Sequence, residues 1–136
     1  MKLVRLVYFS QSTQTMSLQD IHNILEVARE NNQGQGICGM LSYEQQFFLQ
    51  ALEGERSAVN ELYLDIADDP RHDSIEILSY EEIEKPVFGD WQMGFAPASE
   101  RFYNLLNEVG ASRFDPASFS PEQALTFLKQ LSSHQE

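Results

Sequence analysis

The chain has 136 residues, 42% of them hydrophobic, with a formal net charge of −12 at pH 7, enough for one domain whose core needs no disulfide or metal. A surface this acidic repels phosphate backbones and anionic lipid, which excludes nucleic acid and membrane surfaces and leaves a basic protein partner as the compatible kind. Cys38 is the one cysteine, so no internal disulfide forms, and no apolar run approaches the roughly 20 residues of a membrane span.

The opening residues, MKLVRLVYFS, are too short and too interrupted for a signal peptide, so the expected location is the cytoplasm. Their pattern alternates. Val4, Leu6 and Tyr8 point one way, and Leu3, Arg5, Val7 and Phe9 the other. This predicts a first strand with Tyr8 toward the core and Arg5 on the more solvated face. After a polar loop, Ser17 and Asp20 have the spacing of a helix start. Leu18, Ile21, Leu25 and Ala28 then recur at helical spacing, with Ile24 beside them. The helix should end near Asn31-Asn32 and the glycines that follow.

Residues 37–54 read as two strands joined by a turn near Glu44–Gln46. Phe48, Gln50 and Leu52 share a face of the second. Val59, Leu62, Tyr63 and Ile66 form the stripe of another helix, stopped by Asp68, Asp69 and Pro70. Residues 74–83 are a further strand, with Ile75 and Ile77 on one face and Glu76 and Leu78 on the other. A short aromatic segment covers 86–98. Residues 99–110 and 120–132 have helical character, and Pro121 after Ser120 marks a start.

The order β-α-β-β-α-β is the ferredoxin-like α+β pattern. It places the first and third strands side by side at the sheet centre, with both helices on one face. Tyr8 and Gln50 then come from adjacent strands and, if both point to the helix side, meet beneath the gap between the helices. A buried amide left without partners costs about 1–3 kcal/mol, and the Tyr8 hydroxyl is a partner within reach. Asn31 and Asn32 read either as helix caps or as amides that match the donor–acceptor edge of a heterocycle. Asp69, Arg71 and His72 read as a solvated turn or as contacts to a ligand's polar tail.

No GxSxG, HExxH, P-loop or GxGxxG motif is present. His22, His72 and His134 lack metal-ligand spacing, so neither an enzyme nor a metal site is expected.

Five stretches, LVYFS, ILEVARENNQGQGICGMLSY, FFLQALEG, LYLDIADDPRH and FGDWQMGF, resemble in order and spacing the BLUF domain (blue light sensing using flavin) over about residues 2–96. The resemblance implies a flavin-binding photoreceptor of the short stand-alone type, with a photosensor domain over 1–97 and a helical tail over 98–136. It implies FAD as cofactor, with FMN or riboflavin as alternatives. Ile24 and Ile66 would flank the flavin ring, and Asn31 and Asn32 would bond its pyrimidine edge. Gln50 would bond the N5 and O4 edge and Tyr8. Asp69, Arg71 and His72 would contact the ring edge or the ribityl side.

Light would then draw an electron and a proton from Tyr8 and leave Gln50 rearranged, by rotation or tautomerisation, with no substrate turned over. Trp91 and Met93, on an extra fifth strand, would relay the change to a regulatory protein partner. Family members often carry a basic residue where Asp65 stands, and Arg where Lys85-Pro86 stands, which touches flavin holding but neither Tyr8 nor Gln50. Leu105, Leu106, Phe119, Leu125, Phe127, Leu128 and Leu131 should pack the tail on the sheet face away from the flavin, or build a homo-oligomer. The alternative reading is a flavin-free ferredoxin-like interaction module.

Overall fold

In the computed structural model, which describes residues 2–132, β1 (Leu3–Ser12) and β3 (Phe47–Glu55) run antiparallel at the centre of a five-stranded sheet. β4 (His72–Ile83) borders β1, β2 (Cys38–Glu44) borders β3, and the short β5 (Gly94–Ala96) lies parallel to β2 at the far edge. The ferredoxin-like core thus carries the expected fifth strand. It begins at Gly94, however, so Trp91 and Met93 precede it rather than lie on it. His134 lies outside the described residues.

Local chemistry explains most of the boundaries. The helix α1 (Leu18–Gln33) begins with a reciprocal capping box: Ser17 Oγ accepts from the Asp20 amide, and Asp20 accepts from the Ser17 amide. Ile21 and Leu25 are buried, whereas Leu18, on the same predicted stripe, is 64% exposed. The β2–β3 turn places Gln45 and Gln46 at φ 53° and 70°, the left-handed pair whose twist suits a two-residue hairpin. β4 starts two residues earlier than the pattern predicts and meets β1 with register shifts between Val7 and Tyr8 and between Phe9 and Gln11. These are bulge-like irregularities at the strand that carries the Tyr8 hydroxyl.

The sheet is covered on both faces. On one, Val4, Leu6, Tyr8, Phe48 and Leu52 pack beneath α1 and α2 (Arg56–Ala67). On the other, Val7, Phe9, Leu49 and Ala51 pack beneath the tail helices α3 (Glu100–Glu108) and α4 (Pro121–Ser132). The residues predicted for the tail contact all join this second core. Ser120 and Gln123 cap the start of α4 reciprocally.

Double coverage corrects the expectation for Arg5. Its face is not solvated: Arg5 is buried and paired with Glu53 directly across the strands and with Glu81. A lone charge on an otherwise apolar strand face reads as solvent-facing only while its partner is unseen.

Gly39 of β2 approaches β3 so closely that an added Cβ would lie 2.1 Å from the Ala51 carbonyl oxygen. Gly39→Ala should therefore cost about 1–3 kcal/mol of stability, read as a lower denaturation midpoint.

Candidate functional site

A cavity of about 190 Å³ opens between α1 and α2 above the centre of the sheet. Ile24 and Ala28 of α1, Leu62 and Ile66 of α2, and Leu41 and Phe48 of the sheet give it apolar walls. Tyr8 and Gln50 lie at its floor because they are direct partners on the two central strands. The Tyr8 hydroxyl donates to Gln50 Oε1, and both residues are buried. Gln50 Nε2 donates to Met93 Sδ at 3.2 Å. Burial holds the Tyr8 phenol far above its usual range, and Tyr63, edge-on at 5.6 Å, and Asp69 push it further. Tyr8 is a protonated donor at any physiological pH.

Asn31 lines the cavity. Asn32 is placed differently. It is buried, and its Nδ2 donates to the Gln92 carbonyl at 2.7 Å, while its Oδ1 accepts no hydrogen bond among the described residues. A buried carbonyl without a donor is uncommon and suits an N–H brought by a ligand.

At the far end of the cavity stand Asp69, Arg71 and His72. The Asp69 carboxylate accepts from the Arg71 backbone at 2.8 Å and from its guanidinium at 2.5 Å. These bonds hold Asp69 below the usual carboxylate range. His72 Nδ1 is 2.7 Å from Ser10 Oγ, and its ring lies 4.8 Å from that of Phe48. Burial holds His72 below its ordinary value near 6.5, with Asp69 opposing and Arg71 reinforcing.

Folding therefore favours the neutral His72 ring. Its contribution to stability is complete above about pH 6.5 and is lost as the pH falls from there toward the depressed folded value. The denaturation midpoint should drop as the pH falls below about 6.5, and His72→Gln should remove most of that slope. An equal slope in the variant would assign it to other groups.

The predicted relay pair separates. Met93 is buried on the cavity face against Gln50, whereas Trp91 packs with the tail-side core. The same few residues thus touch both faces of the sheet. Sequence reasoning missed Arg29, whose Nε donates to the Met93 carbonyl at 2.9 Å. Its only signal was an interior arginine on an otherwise acidic helix. Val27, Leu41, Phe48 and Leu62 also line the cavity, and nothing in the sequence pattern marks them as ligand contacts.

The site fits a flavin. Apolar walls suit a fused aromatic ring, and the Tyr8–Gln50 floor and Asn31 supply donors and acceptors for its heteroatom edge.

Comparison with known proteins agrees. The model of the BLUF family, described as sensors of blue-light using FAD, matches residues 3–94. The photoactivated adenylate cyclase subunit beta of Euglena gracilis is 36% identical over 132 residues, and subunit alpha is 36% identical over 134. Each alignment covers 93% of this chain, which spans only 15% and 13% of those relatives. Among solved structures, BlsA in its photo-activated state superposes with a TM-score of 0.91 at 32% identity, covering 98% of this chain and 97% of that one. BlrB, a BLUF protein in its dark state, superposes at 0.84 and 32% identity, with 97% and 96% covered. With the family model matching from the start of β1 to Gly94 at the head of β5, and with a cavity whose lining fits a flavin, the chain belongs to the BLUF family, the sensors of blue light that use FAD.

Proposed function

We propose that Tyr8 and Gln50 are the photoactive pair of this receptor and that the cavity between α1 and α2 holds the flavin ring. The observation that carries the reading is the buried hydrogen bond from Tyr8 to Gln50 at the cavity floor. Bound FAD supplies the blue-light absorption and the excited-state electron acceptor. Tyr8 is the electron donor. Because burial keeps its phenol protonated, the Oη proton must leave with the electron, and Gln50 Oε1 is the acceptor already in contact.

A primary amide presents a donor and an acceptor of nearly equal shape. In the arrangement described, Oε1 faces Tyr8 and Nε2 faces the Met93 sulfur, a weak acceptor. Rotation or tautomerisation of the amide changes which of its atoms donates and which accepts, and on this reading Gln50 is the two-state element. When the electron and proton return, Tyr8 is restored and Gln50 is left in its other arrangement until thermal recovery.

On this reading Ile24 and Ile66 flank the ring, Asn31 and Asn32 hold its polar edge, and Asp69, Arg71 and His72 meet its remaining polar side. Residues 1–97 sense light. Residues 98–136 are the output tail, and Met93 and Trp91 carry the change between them. The chain turns over no substrate. It acts in the cytoplasm on a protein partner, with the tail also offering a homo-oligomer contact.

An absorption spectrum before and after blue light is the test. A structured flavin band that moves reversibly to longer wavelength is expected. Gln50→Ala should keep flavin and lose the movement, whereas loss of the flavin itself would make Gln50 a ligand-holding residue instead.

A further inference from the structure

Glu53 is a fully buried carboxylate on β3, on the sheet face opposite Gln50. A buried charge persists only when paired and hydrogen-bonded. Glu53 has four donors. Arg5 Nε lies at 2.9 Å from it, the Val87 amide at 3.0 Å, the Phe88 amide at 2.7 Å and the Cys38 thiol at 3.6 Å. Two of these donors are backbone amides of the segment that leads from β4 to β5. That segment contains Trp91 and Met93.

Its other end is held by side chains of α1, through the bonds of Asn32 to the Gln92 carbonyl and of Arg29 to the Met93 carbonyl. In the middle, the Gly39 amide donates to the Trp91 carbonyl at 3.1 Å and the Trp91 amide to the Phe88 carbonyl at 3.0 Å. Residues 87–93 are therefore strung between a carboxylate on one side of the sheet and a flavin-site helix on the other. The near end has no regular strand pairing to hold it, because β5 begins only at Gly94. The Glu53 carboxylate is the fixed point there.

We infer that Glu53 is a positioning residue of the photoresponse: by seating the Val87 and Phe88 amides it holds Met93 against the Gln50 amide and sets how readily that amide rearranges. The inference rests on the reading of Gln50 as photoactive.

Glu53→Gln is the informative change. It keeps the side-chain volume and one acceptor oxygen but removes the charge. Arg5 retains its pair with Glu81, so the buried guanidinium is not orphaned and the fold should survive. Glu53→Asp is the second variant. It keeps the charge but withdraws the carboxylate by one methylene from the two amides.

Two readouts are taken in the dark. Amide exchange at Val87 and Phe88 should quicken by roughly ten- to a hundredfold in Glu53→Gln, as expected for losing hydrogen bonds to a charged acceptor. The emission of Trp91, the one tryptophan of the chain, should move to longer wavelength as the segment opens. The third readout is recovery after light, which should be faster in both variants by about threefold or more, because a less confined Gln50 amide crosses a lower barrier.

Amides as protected as in the unaltered protein would overturn the inference. So would freed amides with an unchanged recovery rate, since the segment would then be loosened without consequence for Gln50. The dark readouts stand apart from the photochemistry. Absence of any band movement in the unaltered protein would count against the Tyr8–Gln50 reading, while unchanged amides and Trp91 emission would count against Glu53.

Discussion

Tyr8→Phe is expected to retain flavin and to show no movement of the flavin band after blue light. The substitution removes one oxygen from a fully buried ring whose packing against Tyr63 and the apolar floor is otherwise kept. Flavin holding should change little, because the walls contributed by Ile24, Ala28, Leu62 and Ile66 are untouched. The photochemistry should be lost outright. Phe offers no proton to accompany an electron, and Gln50 Oε1 loses the donor that defines its orientation. That orphaned carbonyl should cost about 1–3 kcal/mol of stability, small enough for a folded product. The spectrum of the purified variant, dark and illuminated, decides the matter. A reversible shift of ordinary size would remove Tyr8 from the mechanism.

Phe127→Ala should destabilise the fold by about 3–5 kcal/mol. Phe127 is buried on α4, and its ring meets Phe102 at 5.2 Å, Phe119 at 5.6 Å and Phe114 at 6.0 Å. Truncation leaves a void walled by three other rings on short, already packed segments, so collapse into it is limited. Against a total of about 5–15 kcal/mol for a typical domain, this threatens the whole fold. Denaturant unfolding followed by far-ultraviolet dichroism measures it. A loss below about 1 kcal/mol would mean that α4 is a removable appendage rather than the second cover of the sheet.

The strand and helix order, the Ser17–Asp20 helix start and a hairpin turn near Glu44–Gln46 were all legible in the sequence. Each follows from a short-range rule: alternation along a strand, spacing along a helix, or a turn that only certain backbones can make. The ferredoxin-like order then puts the two central strands together, and the register of β1 with β3 makes Tyr8 and Gln50 direct partners. That Ile24 and Ile66 wall the cavity was an expectation from the BLUF resemblance.

What only the tertiary structure decided concerns coverage and direction. Arg5 was assigned to water because alternation says which residues share a face but not what lies over that face. The tail and the 86–88 segment cover it, and Glu53, 48 positions away, neutralises it. Asn31 and Asn32 are neighbours in sequence, yet one lines the cavity and the other ties down Gln92, because a helix turns adjacent side chains about 100° apart. Trp91 and Met93 part to opposite faces because the chain between them is irregular and runs around the end of the sheet, where no period governs side-chain direction. Local sequence determines how each segment presents its side chains. Which of them become a site, a clamp or a core depends on contacts between segments far apart in the chain, and no local periodicity encodes those.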